Sequence, residues 1–233
     1  MAKKKLINAP AKIPAYQKEF YSRIYENKRL TKILDKPWLR KILSLGYSEK
    51  LAQACIDEVQ SGQKVMQIGV TLGDELGNLA SKLGVYGKLD VVDVSLNRLM
   101  YVRNKYRFLY PSMSFINRDA LEPFKEKYDV IICYMLLHEL PLPAKSKLIN
   151  LILSSLSPDG KAVFIEYNNA VWWHPLKWLV KMYNRLYQPF AERMWQSEIK
   201  DFVTDKNYYN WHKTTYFGKM YQKLTAIRRD GLF

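Results

Sequence analysis

Lys64-Val-Met-Gln-Ile-Gly-Val-Thr-Leu-Gly73-Asp74 carries an apolar run into a glycine-bearing turn, and Leu76, Leu79, Ala80 and Leu83 follow at three-to-four spacing. This pattern predicts a strand, a tight loop and a helix N-terminus, where backbone N–H groups and the helix dipole meet a nucleotide-like ligand. Gly69 and Gly73 let the backbone turn sharply and approach a ligand closely. On their own, two such glycines also fit an ordinary strand-to-helix turn. Farther on, Leu89-Asp-Val-Val-Asp93 is a second short run ending in an acid. Its carboxylate falls where both hydroxyls of an adenosine ribose are accepted in folds of this kind.

The chain alternates around this unit as a parallel α/β sheet requires. Strands are expected at 64–69, 88–94, 113–117, 128–134 and 161–167, with helices between them. The helix after the fourth strand is expected from about Pro143 to Leu156, and Ser157-Pro-Asp-Gly160 reads as a turn, proline fixing φ and glycine supplying positive φ. Period-two alternation over 211–217 and 219–227 around Gly218 predicts a closing antiparallel hairpin. Upstream, Tyr16, Phe20, Ile24 and Tyr25 recur with a helical period, and Pro37 opens a segment that Gly46 stops. Ser48 is the expected N-cap of a helix from Glu49 to Gln60. The division that follows is a helical front piece, 1–62, and a Rossmann-like domain, 63–233, with an aromatic helical cap at 168–210.

Charge is unevenly spread. Residues 1–50 hold 13 Lys and Arg against 4 Asp and Glu, residues 51–169 hold 13 of each, and residues 170–229 hold 11 against 4. A neutral centre between basic flanks suits either a nucleic-acid binder or a protein resting on an anionic membrane. Residues 172–190 speak for the membrane. Trp172, Leu176, Leu179, Tyr183, Leu186 and Phe190 recur at helical spacing, and Lys177, Lys181 and Arg185 lie four apart on another face. That composition reads as a packed amphipathic helix or as an interfacial one, with tryptophan and tyrosine at headgroup level. Stacking of single-stranded bases would leave the nucleotide-like core unexplained. Cys55 and Cys133 sit in apolar patterns without zinc spacing, as in a reduced compartment, and Met1-Ala-Lys-Lys-Lys5 lacks the apolar core of a secretory signal.

With these pieces placed, the chain resembles the Rossmann-like, S-adenosylmethionine-dependent methyltransferases over residues 50–167 and the terminal hairpin. Gly69 and Gly73 match two positions of that family's glycine loop, and Asp93 matches its ribose-binding acid. Asn117-Arg-Asp119-Ala120 matches the segment whose acid contacts the adenine amine. Tyr128-Asp-Val-Ile-Ile-Cys-Tyr134 followed by Leu136-Leu-His138-Glu139 resembles the strand and loop bordering the transfer site, and Leu156-Ser-Pro-Asp-Gly-Lys161 the turn before the fifth strand. The resemblance implies a seven-stranded, mostly parallel sheet. It also implies cofactor contacts from Gln67, Gly69, Thr71, Gly73, Asp93, Asp119 and Ala120, with Tyr134, His138 and Glu139 as catalytic candidates. Two positions depart: the family carries an acid at position 67, which helps hold the amino-acid end of the cofactor, and glycine at position 71. An amide accepts a hydrogen bond but cannot pair ionically with an ammonium.

A narrower resemblance takes up the first departure. Glu166-Tyr-Asn-Asn-Ala-Val-Trp172-Trp173-His174-Pro175-Leu176, Gln188-Pro-Phe-Ala191, Trp195 with Glu198-Ile199, and Phe217-Gly218-Lys-Met-Tyr221-Gln222-Lys223 look like the rhodoquinone-biosynthesis branch, which also tends to carry glutamine at position 67. It implies replacement of a ring methoxy group of ubiquinone by an amino group, with S-adenosylmethionine as amino donor and manganese required. His138, Glu166 and His174 are the expected metal set, since a hard divalent ion accepts imidazole and carboxylate together. Trp172, Trp173 and His174 are the expected substrate contacts, and His212, in the hairpin, is expected to be structural. The protein is then expected in the cytoplasm, resting on the inner, quinone-containing membrane. The competing functions are O- or C-methyl transfer to a hydrophobic acceptor, and a non-catalytic binding protein of the same fold.

Overall fold

The computed structural model describes residues 10–21 and 26–229. Ile24, Tyr25 and the basic start Met1–Lys5 lie outside them. Among the described residues four short helices come first: α1 (Ala15–Phe20), α2 (Lys28–Leu34), α3 (Pro37–Leu43) and α4 (Ser48–Ile56). The Asn27 side chain caps α2 by accepting from the N–H groups of Arg29 and Leu30, and Pro37 opens α3 where its missing donor costs nothing. Ser48 is the first residue of α4, not its cap: its N–H donates to Ser44 Oγ at 3.0 Å, and the helix stops at Ile56.

The alternating part follows as β1 (Lys64–Ile68), α5 (Glu75–Leu83), β2 (Lys88–Asp93), α6 (Leu96–Tyr106), β3 (Met113–Asn117), β4 (Tyr128–Tyr134), α7 (Leu142–Ser154) and β5 (Leu156–Tyr167). After α8 (Lys177–Tyr187) and α9 (Glu192–Gln196), the hairpin β6 (Tyr209–Tyr216) and β7 (Tyr221–Arg228) completes a seven-stranded sheet in the order β3-β2-β1-β4-β5-β7-β6. β1 to β5 pair in parallel, and β7 lies antiparallel between β5 and β6. Val65, Ile68, Val91, Val130, Ile131, Ile132 and Phe164 are buried, which suits strands covered on both faces. This is the Rossmann-like methyltransferase fold expected from the sequence. Chain order reverses between β1 and β4, and ligands in open α/β sheets bind at the carboxyl ends of the strands beside such a reversal.

Two further elements differ from the expectation. The fifth strand begins at Leu156, and the 157–160 turn lies within its span. Tyr128 pairs with Leu156 and Val130 with Lys161, so the intervening residues bulge from the ladder. Gly160 is needed there because a Cβ would sit 2.7 Å from the Tyr128 carbonyl oxygen. The aromatic segment becomes helical only at Lys177, beyond Pro175. Its orientation is unusual: Trp178, Leu179, Met182 and Leu186 are exposed, while Asn184 is buried. Both amide atoms of Asn184 lack a partner among the described residues. The helix therefore turns its apolar face outward. No helix among the described residues is long and apolar enough to cross a membrane.

Candidate functional site

A cavity of about 610 Å³ opens at the carboxyl ends of β1, β2 and β4, with the loop Gly69-Val-Thr-Leu72 along one wall and Asp93, Asp119 and Ala120 along another. Gly69 and Gly73 adopt φ values of +87° and +98°, a region that disfavours a side chain. Asp93 is buried at the end of β2. Its Oδ2 accepts from Val70 N–H and its Oδ1 from Ser95 N–H, each at 2.7 Å. A carboxylate oxygen can accept two bonds, so the group keeps capacity for a pair of hydroxyls while the backbone fixes its orientation. Asp119 accepts from Leu121 N–H at 2.9 Å.

The far end of the loop is held by residues distant in sequence. Asp35 accepts from Gly73 N–H, and Tyr101 Oη donates to the same carboxylate at 2.8 Å. Tyr106 Oη and Lys105 Nζ donate to the Gly73 carbonyl at 2.6 and 2.9 Å. The Arg40 guanidinium packs over Gly73, where a Cβ would fall 1.7 Å from Nη1. Arg40 also lines the cavity, as do Arg98, Glu75 and Tyr167, none of which local sequence patterns single out. Gln67 is fully buried just behind the wall, its Nε2 donating to Thr71 Oγ1 at 3.0 Å.

Tyr134 and Glu139 line the cavity, and His138 lies immediately behind. Burial keeps the Tyr134 phenol protonated well above its ordinary range. His138 Nδ1 sits 2.8 Å from Glu166 Oε1, and its backbone N–H donates to Glu166 Oε2 at 3.1 Å. Burial pushes the imidazole pKa down, but Glu166, by charge and hydrogen bond, pushes it up more, and the net direction is upward. The His138 ring meets the Tyr167 ring edge-on at 4.9 Å, and Tyr167 stacks on Tyr221 and Trp195 at 5.6 and 5.9 Å. Lys145 is fully buried nearby. Its ammonium donates to the Phe190 carbonyl, and burial lowers its pKa to about 8.

Two expected groupings do not form. His138 and Glu166 meet, but His174 is held elsewhere, its ring 4.6 Å from that of Phe217 and its Nδ1 accepting from Leu176 N–H at 3.2 Å. Among the described residues no three His, Cys, Asp or Glu side chains gather as a metal would need, and Glu166 is already engaged with His138 and with Tyr167 N–H. The residues named for manganese therefore do not fit a metal as a set. Trp172 and Trp173 are 87% and 64% exposed and, like His174, lie off the cavity wall. His212 is exposed on β6.

Solved structures of other proteins share the fold. The chain superposes on an O-methyltransferase family protein from Burkholderia thailandensis with a TM-score of 0.66 at 13% identity, covering 94% of this chain and 64% of that one. It matches a SAM-dependent methyltransferase from Aquifex aeolicus at TM-score 0.53 and 16% identity, covering 87% and 99% of the two chains. The N-methyltransferase NodS from Bradyrhizobium japonicum, solved with S-adenosyl-L-homocysteine, gives 0.56 at 14% identity, with 92% and 98% covered. Identities this low speak for the fold. No curated protein matches. The methyltransferase-domain family matches residues 65–160, the span from β1 through the bulge of β5. That span of the chain is similar to a methyltransferase domain, and it sits in a Rossmann-like sheet.

Proposed function

We propose that the protein is an S-adenosylmethionine-dependent transferase acting on a lipid-soluble quinone, and that it replaces a ring methoxy group of ubiquinone by an amino group. The observation that carries the cofactor half is the placement of Asp93 and the Gly69–Leu72 loop on one cavity at the β1–β4 reversal, within the methyltransferase-domain span. When bound there, the cofactor would supply the transferable group. The chain's own residues do the rest. Asp93 orients the ribose, Asp119 faces the adenine end, and Tyr134 and Glu139 border the reacting end, where the His138–Glu166 pair can hold a proton.

The quinone half rests on the residue combinations shared with the rhodoquinone branch and on the outward apolar surface. α8 exposes Trp178, Leu179, Met182 and Leu186 beside Lys181 and Arg185, and α3 exposes Trp38, Ile42 and Leu43. Leu43 also lines the cavity, so apolar surface continues from α3 to the site. The occupant we assign to these faces is an anionic bilayer, because basic residues border the apolar ones and the chain carries +15. A methyltransferase acting on a hydrophobic acceptor is the second reading, favoured by the match at 65–160. One assay separates them: ubiquinone and S-adenosylmethionine are incubated with the protein, with and without manganese, and products are resolved by mass. Exchange of methoxy for amine supports amination, a gained methyl group supports the second reading, and neither product refutes both.

A further inference from the structure

Thr71 and Gln67, the two positions where the glycine loop departs from the methyltransferase pattern, touch each other and a third residue. Gln67 Nε2 donates to Thr71 Oγ1 at 3.0 Å, and the Thr71 hydroxyl in turn bonds the Glu75 carboxyl in the first turn of α5. Gln67 is fully buried and Glu75 is 7% exposed. Yet Gln67 Oε1 and Glu75 Oε1 have no partner among the described residues. Two buried acceptors without donors, on a bonded trio of which Thr71 and Glu75 line the cavity and Gln67 lies just behind its wall, are costly unless a donor-rich group arrives to meet them.

The groups facing Glu75 narrow the identity of that donor. Arg40 from α3 faces it, as do the Cys55 thiol from α4 and the Tyr134 phenol from β4. Arg40 is held by its own acceptors, donating to the Asp35 and Leu72 carbonyls at 3.2 and 3.5 Å. A cationic group with several N–H donors fits the two vacant acceptors, and the guanidinium on the same wall suits a neighbouring anion. An α-amino-acid zwitterion presents both.

We infer that Glu75, assisted by Gln67 Oε1, receives the ammonium of the cofactor's amino-acid end, so that the acid absent from position 67 is replaced from the next helix. This rests on the cofactor reading above. Burial raises the Glu75 pKa to about 8, partly offset by Thr71 and Arg40, so the free site is largely neutral at pH 7. An arriving ammonium favours the carboxylate, and the bound ligand expels the proton.

Calorimetric titration of wild type and Glu75→Gln with S-adenosylhomocysteine and with 5′-methylthioadenosine, which has the adenosine but no ammonium, tests this. The variant should bind S-adenosylhomocysteine at least tenfold more weakly and methylthioadenosine within twofold of wild type. Wild type should release roughly one proton with S-adenosylhomocysteine at pH 7, read by repeating the titration in buffers of different ionisation enthalpy, and the variant none. Equal affinity of both proteins for S-adenosylhomocysteine overturns the inference while leaving the cofactor reading standing. Equal loss for both ligands likewise overturns it, marking Glu75 as structural. Failure of wild type to bind either ligand overturns the cofactor reading and this inference together.

Discussion

Glu75 also makes a prediction that needs no ligand. Its carboxyl loses a proton near pH 8 in the folded chain and near the ordinary 4.5 when unfolded. Between those values the folded state holds a proton that the unfolded state has released, so stability falls as pH rises through the window. At 1.36 kcal/mol per pH unit, the full interval amounts to at most about 5 kcal/mol. Glutamine has nearly the same shape and does not titrate. Glu75→Gln should therefore match wild type near pH 5 and exceed it progressively toward pH 9, by about 2–5 kcal/mol. Urea unfolding of both proteins at each pH, taken as a difference, cancels every titration they share. A difference that stays flat within about 0.5 kcal/mol from pH 5 to 9 would show that Glu75 ionises freely and refute the reasoning.

Asp93→Ala removes an acceptor shared by all adenosine ligands, so affinity for both S-adenosylhomocysteine and methylthioadenosine should fall by about 1.5–3 kcal/mol, measured by calorimetry on a variant checked for folding. Glu166→Gln takes away the charge that holds the His138 pKa up against burial; NMR titration should show the imidazole falling below its wild-type value, and a rise would contradict the pairing. Gln67→Asp restores the family's acid but breaks the donation to Thr71, and should impair quinone amination even where S-adenosylhomocysteine still binds; faster turnover would argue against a role for the amide. Replacing Lys177, Lys181 and Arg185 by glutamine should weaken sedimentation with anionic vesicles and leave S-adenosylhomocysteine affinity unchanged, and 1 M salt, with its Debye length of about 3 Å, should release the wild type. Indifference of the wild type to anionic vesicles at low salt would refute the bilayer assignment.

Strand positions, the glycine loop and Asp93 were legible in the sequence because each is set by local pattern: apolar runs, a forced positive φ, an acid closing a strand. Gln67 and Thr71 stood out as departures, but their contact with Glu75 did not, because nothing in a linear pattern says which first-turn side chain folds back beneath a loop. Arg40 was invisible for a plainer reason: it sits 33 positions before the glycine it covers. The 172–190 segment shows the limit of periodicity. Spacing identifies a helical face but not its direction, and α8 directs that face to solvent while Asn184 packs inward. The metal set failed for a similar reason. His138 and Glu166 satisfy each other, and His174 is drawn to the hairpin turn by Phe217 and Gly218.

The position of β7 orders events during synthesis. β6 leaves the ribosome before β7, yet among the described residues its sole strand partner is β7, and β7 alone pairs with the outer edge of β5. A nascent chain halted before Tyr221 would thus carry β5 with Val163, Phe164 and Ile165 beside an open ladder, a template for pairing with another chain. Only when the hairpin has folded on itself can it slot in as a unit. The side of the sheet bearing Glu166 and Tyr167 is consequently sealed by Tyr221 and Gln222, which are made after every other strand of the sheet.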